Sequence, residues 1–169
     1  KSIYVSNGAP WGKWGNTHFC PEDTIARGFN LLVERPQGGS DDTAVNGIEL
    51  YCAKANSTEK LATISSTKGS WGEWTGERWC PKYAFLVSFA LKVEQPYGNG
   101  DNTAANNILF LCSDFTVLEG WGTLWGHWGR LSDPCKSGIN GITTKVESPQ
   151  GWTGDDTALN DVKMECKTR

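Results

Sequence analysis

A unit of about 55 residues that occurs three times is the feature that most constrains how this chain folds. Each copy carries a Trp-Gly-x-Trp motif, at residues 11–14, 71–74 and 125–128. A segment ending in Val-Glu-x-Pro follows, then a turn rich in glycine, Asp and Asn, and then a closing segment that ends on a cysteine. Units of this size do not bury their apolar faces alone, so the three copies are expected to pack against one another. Any site that the unit forms is then expected up to three times.

Apolar and polar residues alternate along the two main segments of each copy. In the first copy Phe29, Leu31 and Val33 alternate with Asn30 and Glu34, and the other copies repeat the pattern. This period of two is typical of strands with one buried face. Twenty glycines and seven prolines, mostly at the turns, leave no convincing helical stretch. The sequence therefore predicts an all-β fold with about four strands in each copy.

Three four-stranded antiparallel sheets, related by internal threefold pseudosymmetry, can pack their apolar faces around a common axis as a β-prism. A trefoil barrel with shorter strands is the alternative, and alternation alone does not separate the two. The length of 169 residues suits one domain, whereas each copy alone would be marginal. We predict a single β-prism domain over residues 1–169, with repeats at approximately 1–60, 61–114 and 115–169.

Six cysteines occur two per repeat, separated by 32, 32 and 31 residues. A repeat favours equivalent pairs, so we predict one disulfide inside each copy: Cys20–Cys52, Cys80–Cys112 and Cys135–Cys166. The absence of a Cys-x-x-Cys motif and of equivalent histidines argues against zinc, and we expect no metal and no cofactor. Disulfides favour an oxidising, extracellular compartment, and the sequon Asn56-Ser57-Thr58 fits secretion.

The charge balance excludes several classes of partner. A net charge of -3 and a pI near 5.4 provide no basic surface for nucleic acid. No apolar run reaches the roughly 18 to 20 residues that span a bilayer, and the opening residues do not resemble a signal peptide. We therefore expect a mature, secreted protein that contacts neither nucleic acid nor a membrane interior.

The order of the motifs resembles that of a known family. Gly-x-Trp-Gly-x-Trp, Cys-Pro, a strand closing on Val-Glu, and Gly-x-Asp-Asp-Thr-Ala-x-Asn-Gly-Ile before a cysteine resemble the vitelline membrane outer layer protein I family. The resemblance covers nearly the whole chain. It implies a β-prism fold, secretion and association with glycan-rich extracellular coats. Jacalin-type lectins share this architecture without a sequence match.

The glycine and acid turns are the most lectin-like feature of the chain. A carboxylate or amide beside free backbone N–H groups can hold the hydroxyls of a sugar, and glycine allows close approach. We predict carbohydrate binding by three turns, with these residues: Gly38, Asp41 and Asp42; Gly98, Asp101 and Asn102; Gly151, Trp152, Asp155 and Asp156. A structural role competes, since Asp and Asn also cap turns. That role is favoured for Asp42, Asn102 and Asp156 and for the following Asn46, Asn106 and Asn160.

The tryptophans of the Trp-Gly-x-Trp motif allow two interpretations. An exposed indole offers a flat apolar face to a pyranose ring, whereas a buried indole fills the prism core. We expect packing to be the main role of the motif, with one tryptophan of a pair partly exposed.

Two further functions remain open at this point. One is a structural component of an extracellular coat that contacts other coat proteins and binds no soluble ligand. The other is an enzyme that transfers N-acetylglucosamine oligosaccharides. For the enzyme, Glu34, Glu94 and Glu147 recur on the outward strand face, and retaining glycosidases use two carboxyl groups about 5 Å apart. Three equivalent glutamates beside Lys92 and Lys145 lack the acid and base asymmetry that catalysis needs, so we expect no enzyme.

Overall fold

The computed structural model describes residues 1–34, 44–69, 71–94, 104–147 and 158–168. Within these residues, six long strands form three antiparallel pairs: β4 (Ile25–Glu34) with β5 (Ala44–Ala53), β9 (Leu86–Glu94) with β10 (Ala104–Cys112), and β13 (Ile139–Glu147) with β14 (Ala158–Cys166). Eight short strands flank them: β1 (Ser2–Ile3), β2 (Lys13–Trp14), β3 (His18–Phe19), β6 (Ala62–Ile64), β7 (Glu73–Trp74), β8 (Arg78–Trp79), β11 (Val117–Glu119) and β12 (His127–Trp128). We refer to the sheets by the repeat that supplies the long pair. The all-β prediction is confirmed.

The short strands do not belong to the repeat whose sheet they complete. The first-repeat sheet has the order β6-β5-β4-β7, with β8 also on β4, and its short strands come from the second repeat. The second-repeat sheet, β11-β10-β9-β12, takes its short strands from the third repeat, and the third-repeat sheet, β1-β14-β13-β2 with β3 on β13, takes them from the first. Four-stranded sheets were expected within each copy. The sheets instead form between copies, which interlocks the three repeats in a ring.

Two β-bulges in each long pair provide the docking points for the incoming repeat. In the first-repeat sheet the pairing skips Arg27 near one end and Asn46 near the other, and the other two sheets skip the equivalent positions. A bulged residue is left out of the ladder, so its carbonyl is available to another segment. The carbonyl of Arg27 accepts a hydrogen bond from the backbone N–H of Cys80, and that of Asn46 accepts one from Gly69.

The apolar faces of the three sheets meet in one core. Its centre is aromatic, because the ring centroid of Phe110 lies 4.7 Å from that of Phe29 and 6.4 Å from that of Phe89. The residues that alternation assigned to the inward face, such as Leu31 and Val33, are buried in this cluster. Burial of apolar side chains from all three repeats ties the stability of each sheet to that of its neighbours.

The three disulfides pair the cysteines as predicted, at Cys20–Cys52, Cys80–Cys112 and Cys135–Cys166. Each bridge lies within a repeat but joins two sheets. The backbone N–H of Cys20 donates to Asn140 of β13, whereas Cys52 lies in β5. In the second bridge, the backbone N–H of Cys80 donates to the carbonyl of Arg27 in β4, and the disulfide partner Cys112 lies in β10. In the third, the N–H of Cys135 donates to the carbonyl of Val87 in β9, and the disulfide partner Cys166 lies in β14.

The bridges define the two ends of the prism. Each bridge links the start of the first long strand of one pair to the end of the second long strand of another pair. These strand termini therefore lie together at one end of the prism, which we call the disulfide end. The opposite, motif end holds the last residues before the segments outside the described ranges, Glu34, Glu94 and Glu147. Buried Arg27 consolidates the disulfide end by donating to the carbonyls of Ser57, Cys80, Pro81 and Ala84. Burial lowers the pKa of this guanidinium.

Replacing Cys80 and Cys112 by alanine should remove a crosslink between the first- and second-repeat sheets. A closed loop of this length contributes about 3 to 4 kcal/mol through the entropy of the unfolded chain, and the free energy of unfolding should fall by that order. Urea unfolding followed by circular dichroism measures the loss. The equivalent double variant at Cys135 and Cys166 is the matched comparison, and unchanged stability in both would contradict the role assigned to the bridges.

Candidate functional site

The ten residues predicted to contact sugar lie outside the described residues, within 35–43, 95–103 and 148–157. They are Gly38, Asp41, Asp42, Gly98, Asp101, Asn102, Gly151, Trp152, Asp155 and Asp156. Their role stays a prediction. The structure describes the strand ends that flank these segments in the sequence, and these strand ends lie at the motif end of the prism.

The Trp-Gly-x-Trp motifs lie at this same end. Their central glycines, Gly12, Gly72 and Gly126, have φ angles of +97°, +124° and +97°. A Cβ atom there would lie only 2.6 to 2.8 Å from the carbonyl oxygens of Val146, Val33 and Val93 in turn. Glycine thus serves two purposes, the left-handed backbone and the close approach to the end of a long strand. The motif of each repeat is held against the strand end of the preceding one.

The motif tryptophans are at the surface, so the expectation that they mainly fill the core is wrong. The first tryptophan is the more open one, with 52%, 58% and 60% of Trp11, Trp71 and Trp125 exposed. Trp14 and Trp74 are also exposed, and Trp128 is half-buried. The physical reason is the exchange of short strands, because the motif pairs with the edge of another sheet and leaves the core to the long strands.

Three buried asparagines lie beneath the motif end. Asn46, Asn106 and Asn160 occupy the bulges of β5, β10 and β14, so their interpretation as turn residues is wrong. Asn46 donates through Nδ2 to the carbonyl of Trp71 (2.8 Å) and to Oε1 of Glu34 (3.3 Å). Together these two bonds connect the bulge to the Trp-Gly-x-Trp motif and to the end of β4. The Oδ1 atom of Asn106 accepts a bond of 2.7 Å from the Thr123 hydroxyl.

The recurrent glutamates are less exposed than the sequence suggested. Glu34, Glu94 and Glu147 are half-buried at the strand ends, each on a different sheet. The lysines expected beside them interact with aromatic rings. The Lys92 ammonium lies 5.7 Å from the ring centroid of Trp128, and that of Lys145 lies 5.6 Å from the centroid of Trp14. Within the described ranges no three His, Cys, Asp or Glu side chains form a group that could hold a metal ion.

The outward faces of the three sheets are chemically different at equivalent positions. Beside the second motif tryptophan, the third-repeat sheet carries Lys145 and Lys163 on neighbouring strands. The second-repeat sheet carries Lys92 and Leu109, and the first-repeat sheet Leu32 and Glu49, at the corresponding register positions. Pseudosymmetry is therefore kept in the core and lost on the outside.

The first-repeat sheet has an aromatic cluster on its outward face. The rings of Tyr51 and Trp79 stack at 5.4 Å, and Gly28 makes room for the indole. The indole N–H of Trp79 donates to Glu77 (3.0 Å), which also pairs with Lys60. The bond from Lys60 lowers the pKa of Glu77, and burial raises that of the Tyr51 hydroxyl. Because the two rings stack on each other, they do not leave an open aromatic surface on which a sugar could stack.

Asp161 is a half-buried acid on the outward face of the third-repeat sheet. Its Oδ1 accepts a bond of 2.8 Å from the Val162 N–H, and its carboxyl group lies against Gly8. Burial raises its pKa, while this bond and the charge of Lys145 act in the opposite direction. The second-repeat sheet has a neutral amide at the same place, Asn107, which also donates to the carbonyl of Gly120.

Comparison with known proteins settles the family. The family model for vitelline membrane outer layer protein I (VOMI) matches residues 1–168. The chain belongs to the vitelline membrane outer layer protein I family. The human vitelline membrane outer layer protein 1 homolog is 50% identical over 165 residues, 97% of this chain and 81% of that protein. The mouse homolog is 47% identical over 165 residues, 97% of this chain and 82% of that protein.

Solved structures confirm the β-prism of this family member. The mannose-binding lectin from champedak aligns with a TM-score of 0.58 and 11% identity, over 99% of this chain and 96% of the lectin. Calystegia sepium agglutinin aligns with a TM-score of 0.60 and 15% identity, over 98% and 96%. Artocarpin in complex with mannotriose aligns with a TM-score of 0.59 and 13% identity, over 98% and 95%. At these identities the likeness concerns the fold.

Gly72→Ala should destabilise the protein and detach the motif from the first-repeat sheet. An alanine at positive φ costs more than about 1 kcal/mol, and its Cβ would also meet the Val33 carbonyl. Thermal unfolding measures the loss, and hydrogen exchange at the Thr75 amide, which donates to the Leu31 carbonyl (2.9 Å), reports the detachment. Wild-type stability together with wild-type protection of that amide would show that glycine is not required there.

Asp161→Asn should stabilise the protein at neutral pH, because the amide buries no charge and, like Asn107, can donate one further hydrogen bond, whose usual contribution is about 1 kcal/mol. Because burial raises the folded-state pKa of Asp161, its ionised form is disfavoured in the fold, and wild type recovers stability as pH falls through that pKa. The advantage of the variant should therefore shrink between pH 7 and pH 3. Thermal unfolding at both pH values checks this, and an advantage that grew at low pH would contradict it.

Proposed function

We propose that this protein is a secreted, non-catalytic carbohydrate-binding component of an extracellular coat. Sugars bind at the motif end, where Trp11, Trp71 and Trp125 offer indole faces and the acids Asp41, Asp101 and Asp155 supply hydrogen-bond acceptors. Each site combines an apolar surface for the C–H side of a pyranose with polar groups that fix its hydroxyls.

The observation that carries the proposal is the exposure of three equivalent tryptophans at one end of the prism. Large aromatic side chains are costly to leave in water, and a surface that exposes them repeatedly indicates binding. Their neighbours support the same interpretation, because the glycine and acid segments begin at the strand ends that the motifs contact. The indoles and the strand ends that lead into these segments therefore lie at the same end of the prism.

The relatives agree with this function. Solved β-prisms that align over nearly the whole chain are lectins, some in complex with mannose oligosaccharides. The names of the human and mouse relatives associate the family with the outer layer of a vitelline membrane. Three disulfides suit an extracellular setting, and no helix in the described ranges is long and apolar enough to cross a membrane.

Repetition compensates for weak individual sites. A shallow platform with one indole and few polar groups binds a monosaccharide weakly, but three platforms on one prism end can engage a branched or surface-bound glycan together. Linking binding events in this way raises the overall affinity by about two to four orders of magnitude. A coat rich in repeated glycans is the ligand that such an arrangement suits best.

The proposal excludes catalysis for a chemical reason. A glycan-transferring site needs an acid and a base in different environments. Glu34, Glu94 and Glu147 belong to three different sheets and occupy equivalent places at their strand ends. Their joint replacement by glutamine should leave sugar binding nearly intact. A transfer or cleavage rate on chito-oligosaccharides that disappeared in this variant would support the enzyme instead.

Single replacements Trp11→Ala, Trp71→Ala and Trp125→Ala should each lower the affinity for neutral mannose or N-acetylglucosamine oligosaccharides by about fivefold, since stacking contributes on the order of 1 kcal/mol. Titration calorimetry and a glycan array measure the change. Asp41→Ala, Asp101→Ala and Asp155→Ala should weaken binding similarly through a lost charged hydrogen bond.

Phe115→Ala is the matched control, because Phe115 is 82% exposed but follows Cys112 at the disulfide end. It should bind as wild type does. If none of the motif or turn variants changed binding, the site would lie elsewhere. If wild type bound no glycan on the array but retained other coat proteins, the structural coat function would replace this proposal.

A further inference from the structure

Two lysines converge on one tryptophan in the third-repeat sheet. The ammonium groups of Lys145 on β13 and Lys163 on β14 lie 5.6 and 5.1 Å from the ring centroid of Trp14. Because Lys163 is on β14, which is separated by β13 from the edge strand β2 that carries Trp14, the indole extends across the outward face of the sheet. Trp14 is 41% exposed and both lysines are half-buried, so the cluster lies at the surface.

The positive charge of this cluster is not neutralised by a described ion pair. Asp161 is the acid opposite Lys145, yet its Oδ1 is bound to the Val162 N–H and its carboxyl group lies against Gly8. Within the described ranges, no carboxylate lies at ion-pairing distance from either ammonium group. Two cations beside one ring repel each other, and a bound anion would relieve this repulsion. The other acid on the outward face of β14, Glu165, is engaged by the Ser2 hydroxyl at 2.8 Å.

We propose that Trp14, Lys145 and Lys163 form a site for an acidic glycan, with a sulfate or carboxylate group between the two lysines and the sugar ring against Trp14. This inference rests on the proposed carbohydrate function and adds a ligand class and a place distinct from the motif-end turns. Charge-assisted bonds from two ammonium groups supply most of the selectivity. Neutral sugars lack the group that would use them.

The other two repeats show why this site occurs once in the described sheets. At the positions of Lys145 and Lys163, the second-repeat sheet has Lys92 and Leu109 beside Trp128. The first-repeat sheet has Leu32 and Glu49, and among the described residues one cation, Lys68, contacts Trp74, at 5.3 Å from the ring centroid. One lysine on a ring is a common surface contact. A pair on one ring is found in the third-repeat sheet.

Titration calorimetry with three tetrasaccharides tests the site. Sulfated chondroitin tetrasaccharide carries sulfate and carboxylate, its desulfated form carries carboxylate only, and fully N-acetylated chitotetraose, called chitotetraose below, is neutral. Wild type should bind at least one acidic ligand more tightly than chitotetraose at low salt, with one site per chain, and the affinity should fall as salt is raised. The two acidic ligands show which anionic group the lysines select.

Lys145→Gln with Lys163→Gln should weaken acidic-glycan binding about tenfold or more, the effect expected for a lost charged hydrogen bond, and should leave chitotetraose binding unchanged. The matched control replaces Lys68 and Lys92 by glutamine, which removes two equivalent lysine contacts and the same charge. It should retain the acidic-glycan affinity. Leu109→Lys should create a second lysine pair beside Trp128 and raise the stoichiometry from one to two.

A site-specific signal accompanies the affinities. Acidic ligand should shift the Trp14 indole N–H resonance, assigned with Trp14→Phe, more than that of Trp128. Equal affinity for acidic and neutral ligands, or equal losses in the two double variants, would overturn this site while leaving the proposed function intact. Absence of binding to any of the three ligands, and to every glycan on the array, would overturn both.

Discussion

The fold depends on backbone carbonyls that each long strand pair leaves unpaired. Two bulges per pair release them, and the next repeat satisfies them with its own N–H groups, at the cysteine near one end and just ahead of the motif near the other. A buried carbonyl without a partner is costly, so each sheet is completed only when its neighbour is in place. Folding of the three repeats is therefore cooperative. The shared core and the disulfides stabilise the same arrangement.

The docking of each motif against a strand end also explains which side chains are exposed for ligand binding. The motif must place its backbone against a strand end, which requires glycine between the tryptophans. Its indoles then lie along a sheet edge and remain open to solvent. The same constraint that attaches one repeat to the next thus exposes three aromatic platforms at one end. Binding surfaces arise from the connection between repeats more than from any single repeat.

Core and surface have diverged under different demands. In the core, equivalent positions keep apolar side chains because three sheets must fill one shared volume. On the outward faces no such requirement exists, and the third-repeat sheet places two lysines beside one indole while the first-repeat sheet carries a cluster of aromatic and ionic side chains. The contact between the residue three positions ahead of each motif and the long strand also differs. In two sheets a glycine ahead of the motif, Gly8 or Gly122, packs against a strand side chain, Asp161 or Asn107. In the first-repeat sheet the glycine is on the strand, and Gly47 packs against the side chain of Lys68. Pseudosymmetry of fold does not imply three identical ligands.

The sequence by itself determined the β class, the threefold repeat, the strand faces and the disulfide pairing, because all of these follow from short-range periodicity and equivalent spacing. It also indicated the family. Tertiary structure alone decided which sheet each short strand joins, and this reversed the burial expected for the motif tryptophans. It placed Asn46 in a bulge, since a register shift leaves no mark on local composition. It also brought Lys163 to Trp14 from a distant part of the chain, because side chains far apart in sequence meet only when strands from different repeats share a sheet.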